Sequence, residues 1–474
     1  MADRDAESYD LVVIGAGPAG EKGAAQAAYF GKRVAVIEAA ELGGATGNTG
    51  TLPSKTLRET ALYLSGMRSR GLYGIDYSFS RAISADDLLY RKTRVVASHV
   101  GLVRENLDRH RIDLIHGRAE LLDAHTALVH RPDGGTSQVR GEFILLATGS
   151  RPARPAWLPS GACVYDSDSI LQLSSLPRSL IIVGAGVIGC EYATTFAALG
   201  TRVRLIDRGS RLLPFLDGEL SDVLAQRMGE AGVTIVFNRR TTSVTAAEGV
   251  TVELDDGERV AADALLYCGG RCGNTDGLGL ERAGIEVDDR GRVVVDEHYR
   301  TAAASVLAAG DVIGFPALAS TSMEQARVAV CHAFGFTYKR QVSSLIPYGL
   351  YTIPEVSMVG ASEDELRAEG RAYLVGRGYF DRNARAQIAG ETSGMIKVIF
   401  APESRRVLGV HIIGERASDL IHIGQLCMQL DGTIDVFIDS VFNFPTLADA
   451  YKYAAYDGLQ ALERYEASRA NEAG

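Results

Sequence analysis

The chain has 474 residues, enough for about three domains at ~150 residues each. Its 46% hydrophobic and 23% charged composition excludes a disordered chain, a collagen-like repeat and a coiled-coil rod. A formal net charge of −10 offers no basic face to nucleic acid or to anionic lipid. No run of ~18 apolar residues spans a bilayer, and the opening MADRDAESYD lacks the basic, apolar, small-residue order of a signal peptide. Six cysteines, at 163, 190, 268, 272, 331 and 427, are too sparse for a disulfide framework. The expectation is a reducing, cytoplasmic compartment, with no membrane and no nucleic-acid partner. None of the nine histidines joins a metal set, so no metal is expected.

Residues 10–38 read DLVVIGAGPAGEKGAAQAAYFGKRVAVIE. The pattern predicts a short apolar strand, a turn at Gly15, an alanine-rich helix opened by Gly15, Gly17 and Gly20, a stop at Gly31, and a second strand ending at Glu38. Residues 180–207, LIIVGAGVIGCEYATTFAALGTRVRLID, repeat it with Gly184, Gly186, Gly189, Gly200 and Asp207. Gly15 to Gly31 and Gly184 to Gly200 are the same distance in sequence, as are Gly15 to Glu38 and Gly184 to Asp207. One G-x-G-x-x-G is weak evidence; two in register, each closed by an acid, are strong. The first glycine permits the tight turn, the second lets the backbone approach a pyrophosphate, and the third lets helix pack on strand. The helix start then presents unpaired N–H groups to phosphate, and the acid accepts from ribose hydroxyls. Two units imply two dinucleotide sites.

Returning apolar strands follow, LLATG at 145–149, LLYCGG at 265–270 and VLAAGD at 306–311. Polar turns at 131–137, 254–259 and 287–292 are expected between valine-rich strands. After residue ~345 the pattern changes to strands such as MIKVIF and VLGVHIIG and then amphipathic helices. Boundaries fall near 150, 275 and 345, and the class is α/β.

The segment LGGATGNTGTLPSKTLRE at 42–59 resembles the redox-active segment of the class I pyridine nucleotide-disulfide oxidoreductases, whose usual form is GGTCxNxGCxPSK. The family's ATGSRP stands at 147–152, its G-R-x-x-N-T at Gly270, Arg271, Asn274 and Thr275, and its AxGDV at Ala309–Val312. The resemblance covers almost the whole chain. It implies a glutathione-reductase-like fold, with two Rossmann-like dinucleotide-binding domains and a C-terminal α+β dimerisation domain. Residues 1–150 would bind FAD, 151–275 NAD(P), 276–345 would complete the FAD domain, and 346–474 would form the homodimer interface, with higher assembly left open.

By the same resemblance, one FAD per subunit is held by Gly15, Gly17, Gly20 and Glu38. Gly43, Gly44, Thr51 and Lys55 contribute from the PSK segment, Gly117, Thr148 and Gly149 from the following strands, and Asp311, Leu318 and Ala319 from the third. NAD(P) falls to Gly184, Gly186, Val187, Ile188, Gly189 and Glu191, with Asp207, Arg208 and Gly270. Lys55 aligns with the lysine near flavin N5, and Glu191 with its ion-pair partner; both are the expected catalytic residues. Asp207 favours NAD, since a carboxylate repels a 2′-phosphate; Arg208 and Arg211 could pair with that phosphate or form a solvated loop.

Departures from the family pattern point to the chemistry. Thr46 and Thr51 replace its two cysteines, and a hydroxyl cannot store two electrons as a disulfide does. Phe444 replaces its C-terminal histidine and cannot shuttle a proton. Thr51 in GTxPSK and the run Phe442-Asn443-Phe444-Pro445-Thr446 resemble the family's transhydrogenase branch. That implies ping-pong hydride transfer from NADPH to NAD+ through FAD. The alternatives are an NAD(P)H:quinone reductase and, from another class, a non-catalytic flavin-binding sensor or scaffold. Val187 replaces a tyrosine found in some relatives and implies a more open pocket. A cis Phe444–Pro445 bond, in a loop capping the flavin pocket of the partner subunit, is also implied. Cys190, His422 and Trp157 are expected to be structural, and Cys268 and Cys272 to be unpaired thiols.

Overall fold

The computed structural model describes residues 7–66 and 83–472; the acidic first six residues lie outside them. The run LVVI forms the end of strand Glu7–Ile14, which pairs in parallel with Val34–Glu38 on one side and Thr136–Leu146 on the other. Leu11 and Val13 enter one hydrophobic cluster, and Val12 and Ile14 another, because layers cover both faces of this sheet. Burial on both faces explains why the strand reads as a continuous apolar run instead of an alternation. Each such side chain contributes about 1.5–3 kcal/mol when fully buried.

Asp113–His116 pairs with Val34–Glu38, and Val306–Ala308 pairs with the end of Thr136–Leu146, so a strand from beyond residue 300 completes the first sheet. Helix Pro18–Tyr29 starts with proline at its first turn, which supplies a helical φ without losing a needed N–H. It meets the sheet with small residues: a Cβ on Gly23 would stand 2.6 Å from Leu145 Cδ2.

The second repeat builds a parallel sheet in the order Val233–Val236, Arg202–Ile206, Ser179–Val183, Ala264–Tyr267 and Val164–Asp166. From residue 348 a five-stranded antiparallel sheet follows, with helices Ala417–Gln429 and Ala450–Glu472 packed on it. The expected turn at 287–292 lacks flanking strands and has an isolated Val287–Val293 bridge. The Asp288 carboxylate accepts from the backbone N–H of Arg290 and Arg292, at 2.9 Å each, and from Arg292 Nε at 2.6 Å. These local bonds compete with a ladder and hold an irregular turn.

Charges join the second sheet domain to the antiparallel sheet. Lys397, wholly buried in MIKVIF, donates to Asp217 at 2.7 Å, lies 2.8 Å from Glu219 and also bonds Glu363. Among the described residues these three carboxylates form the one group with metal-ligand proximity, and the lysine ammonium already sits among them. Among the same residues, no helix is long and apolar enough to cross a membrane.

Candidate functional site

The two repeats match in chemistry as well as spacing. Gly15 and Gly184 have φ of +103° and +106°, conformations that favour glycine. A Cβ on Gly20 would stand 1.8 Å from Gly15 O, and one on Gly189 would stand 1.8 Å from Gly184 O. Gly17 and Gly186 cap their helices without a side-chain bond, so among the described residues the first-turn N–H groups have no side-chain acceptor and can serve phosphate.

Each closing acid is held by two amides. Glu38 accepts from Ala16 N at 2.7 Å and Ala40 N at 2.8 Å. Asp207 accepts from Ala185 N and Gly209 N, both at 2.6 Å. Each carboxylate thereby locks the strand tip to the glycine turn while keeping lone pairs for further donors.

The first unit opens onto a cavity of about 740 Å³, within the range of cofactor sites. Gly15, Gly17, Glu38, Gly44, Gly117, Thr148, Gly149 and Asp311 line it, as does Thr46. Gly20 packs helix against turn, and Gly43, Thr51, Lys55, Leu318 and Ala319 stand outside that wall. A Cβ on Gly44 would come 2.8 Å from Gly17 Cα, so two backbones meet at the cradle with no room for a side chain. Thr148 Oγ1 is buried with no partner among the described residues. An orphaned hydroxyl beside a glycine cradle and an anchored acid fits a dinucleotide with ribose and pyrophosphate groups.

Sequence reasoning missed the support behind Asp311. Ser150 Oγ donates to Asp311 at 2.8 Å and accepts from Arg271 Nε at 2.8 Å. Arg271 also donates to the Ser150 carbonyl and to Ser167 Oγ. Asp168 joins the cavity wall, where burial raises its carboxyl against the pull of Arg271. The signal lies in Gly270–Thr275, where Arg271 reads only as a member of the motif.

Helix Thr51–Ser65 carries Lys55, and helix Val187–Ala198 carries Glu191. Lys55 Nζ lies 2.6 Å from Glu191 Oε2. Glu191 Oε1 accepts from Tyr351 N at 2.9 Å, and Lys55 Nζ lies 4.9 Å from the Tyr351 ring centre. Val187 and Ile188 are half-buried at the second helix start, and Gly270 is exposed after its returning strand.

Arg208 is exposed at the tip of its strand. Arg211 is committed elsewhere: Nη1 binds Asp364 at 3.0 Å, while Nη2 donates to the carbonyls of Pro214 and Leu216. That removes Arg211 as a free phosphate partner and leaves Arg208.

Phe444 is largely exposed, and its bond to Pro445 is cis. All six thiols are free. Burial pushes the Cys190 and Cys268 thiols up, which suits packing and opposes reactivity. Trp157 packs edge-on against Tyr267, and His422 is exposed beside Gln425.

Residues 9–333 match the family model described as pyridine nucleotide-disulphide oxidoreductase, and residues 346–455 match the dimerisation domain of that family. A protein named soluble pyridine nucleotide transhydrogenase from Mycobacterium bovis (strain BCG / Pasteur 1173P2) is 46% identical over 458 residues, covering 96% of this chain and 98% of its own. A protein of the same name from Marinomonas sp. (strain MWYL1) is 45% identical over 460 residues, covering 96% and 99%. Among solved structures, the HOCl-induced flavoprotein disulfide reductase RclA from Escherichia coli is 30% identical with a TM-score of 0.85, covering 94% of this chain and 99% of its own. LpdA from Mycobacterium tuberculosis is 28% identical with a TM-score of 0.88, covering 95% and 99%.

Proposed function

Because the chain belongs to the pyridine nucleotide-disulphide oxidoreductase family, we propose that it is an FAD-dependent transhydrogenase that moves hydride reversibly between NADPH and NAD+. The single observation that carries the reading is the pair Thr46 and Thr51 in a segment that otherwise keeps the family's glycines and PSK. Neither hydroxyl can accept electrons, so hydride equivalents taken from one nicotinamide must leave on another acceptor. Full-length likeness to proteins named transhydrogenase supports a second nicotinamide as that acceptor.

Bound FAD supplies a two-electron store between the two half-reactions. The chain supplies the rest. The first-turn amides after Gly17 and Gly186 bind pyrophosphate, and Glu38 and Asp207, each steadied by two amides, accept ribose hydroxyls. Thr148 offers its unpaired hydroxyl to the cofactor, and the Arg271–Ser150 chain fixes Asp311. Glu191 holds the Lys55 ammonium in place at 2.6 Å, where by the family resemblance it would stand near the flavin. Fixed charges act without reorganising during reaction, which is why their placement matters more than their number. One nicotinamide site serving both nucleotides makes the sequence ping-pong.

Residues 1–150 and 276–345 form the FAD unit, 151–275 the NAD(P) unit, and 346–474 the interface of a homodimer. The Phe444–Pro445 loop of each subunit caps its partner's flavin pocket. The reducing cytoplasm is the location consistent with six free thiols.

The test is anaerobic mixing of the yellow protein with NADPH and thio-NAD+, with a quinone supplied in a parallel run. Stoichiometric formation of reduced thio-NAD supports the reading. Rapid quinone reduction with negligible nucleotide exchange would replace it with a quinone reductase, and a flavin that neither NADPH nor NADH bleaches would leave a sensor.

A further inference from the structure

We propose that Arg58 and Glu355 are a positioning pair for Lys55 and Glu191: the segment 351–355 acts as a strap that sets the register of the two helices carrying them. The proposal rests on the functional reading above, in which Lys55 and Glu191 belong to the flavin environment.

The strap joins strands Tyr348–Leu350 and Val356–Gly360 and faces both helices. To the Glu191 helix it gives Tyr351 N, which donates to Glu191 Oε1 at 2.9 Å, and Ile353 N, which donates to Thr194 Oγ1 at 3.2 Å. To the Lys55 helix it gives the Thr352 carbonyl, which accepts from Arg58 Nε at 3.1 Å, and the Glu355 carboxylate, 3.3 Å from Arg58 Nη2. The Tyr351 ring lies beneath the Lys55 ammonium. A shift of the strap therefore moves the amide that holds Glu191 and the ring that carries Lys55 together.

Lys55 and Arg58 stand three residues apart on one helix, hence on one face. The Arg58 side chain is 4% exposed and that of Glu355 is 9% exposed. Burying such a pair costs desolvation that a well-packed apolar pair avoids, so its value lies in directional constraint and not in net stability. Apolar contact is already available here: Leu57 lies in one hydrophobic cluster with Leu350 and Val356. Such contacts fix how closely the helix approaches, whereas hydrogen bonds fix its axial register. Behind the strap, Ser418 Oγ donates to Glu355 at 2.7 Å, and Ser418 N, in the first turn of helix Ala417–Gln429, donates at 3.3 Å. Burial raises the Glu355 carboxyl, and the charge of Arg58 opposes that rise.

The experiment compares FAD-loaded wild type with Arg58→Met, Arg58→Lys and the isosteric Glu355→Gln. Three quantities are measured per bound flavin: the visible spectrum, the midpoint potential and the anaerobic rate of reduction by NADPH over a concentration series. Arg58→Met and Glu355→Gln should shift the spectrum and potential and lower the limiting rate at least tenfold, with half-saturating NADPH changed less than twofold. Combining them should cost no more than either alone, and Arg58→Lys should restore part of the loss. In a Lys55→Met background neither change should move the potential further. Unchanged potential, spectrum and limiting rate in folded Glu355→Gln would overturn the proposal. So would a defect confined to FAD content, or one that persists undiminished in Lys55→Met. If NADPH fails to reduce the wild-type flavin, the transhydrogenase reading falls, while the potentials of the variants still decide the role of Arg58 and Glu355.

Discussion

Replacing Gly189 with alanine should separate the two nucleotide sites. The added Cβ would stand 1.8 Å from Gly184 O and 3.0 Å from Gly184 C. Restoring ordinary contact requires helix Val187–Ala198 and the glycine turn to part by ~1.5 Å or more, which a close-packed interior resists. Both the amides proposed to bind pyrophosphate and Glu191 ride on that helix. A displacement of ~1 Å at a reacting site costs about 100-fold, or about 2.7 kcal/mol of barrier. Gly189→Ala should therefore retain its yellow colour, because the first unit is untouched, and should lose at least about 100-fold in the anaerobic rate of bleaching by NADPH. Gly20→Ala, whose Cβ meets Gly15 O at the same 1.8 Å, should instead emerge colourless. FAD content comes from the 450 nm to 280 nm absorbance ratio (~450 nm being the flavin band) and bleaching from stopped flow. A fully flavinated Gly189→Ala protein that NADPH bleaches at the wild-type rate would refute the assignment of the second unit.

Four further outcomes are expected. Lys397→Met leaves the buried Asp217 and its neighbours without their ammonium and should cost about 3–5 kcal/mol, read as a lower thermal midpoint. Burial raises the Glu219 and Glu363 carboxyls, but bonds from Arg377, Lys397 and Tyr373 outweigh it, so both sit below the ordinary carboxylate value. Their contribution to stability is present above that value and lost as pH falls through the depressed one; Lys397, raised above the ordinary lysine value, keeps its contribution until pH climbs beyond it. The gap between wild type and Lys397→Met in thermal midpoint should therefore hold across neutral pH and shrink below about pH 4. Arg208→Ala should raise half-saturating NADPH by about tenfold or more, the worth of a charge-assisted hydrogen bond, and leave NADH unchanged in steady-state kinetics. Arg211→Ala should lower the melting temperature with NADPH affinity retained, since its guanidinium is bonded to Asp364, Pro214 and Leu216.

The sequence made the two glycine-turn repeats legible because close approach of backbone to backbone leaves glycine no substitute. Gly15, Gly20, Gly184 and Gly189 each face a carbonyl that a Cβ would strike. Thr46, Thr51 and Phe444 were legible for a different reason, as losses of chemistry within an otherwise matching frame. What stayed hidden depends on contacts between distant segments. Arg58 and Glu355 are separated by most of two domains, and no periodicity links them. Lys397 reads as one polar residue in an apolar strand, while its partners lie near 217 and 363. Arg208 and Arg211 look alike in sequence, and only the fold shows that one is bonded into a loop. At 287–292 valines signalled strands, yet the bonds of Asp288 to its own turn prevailed.

Double-mixing stopped flow tests the central claim most directly. The protein is first bleached anaerobically with one equivalent of NADPH, then mixed with excess NAD+ while absorbance is followed near ~450 nm and ~340 nm, the flavin and reduced-nicotinamide bands. Yellow colour should return as NADH appears, one for each flavin reoxidised. Flavin that stays bleached in the presence of NAD+ would contradict hydride transfer between the two nucleotides.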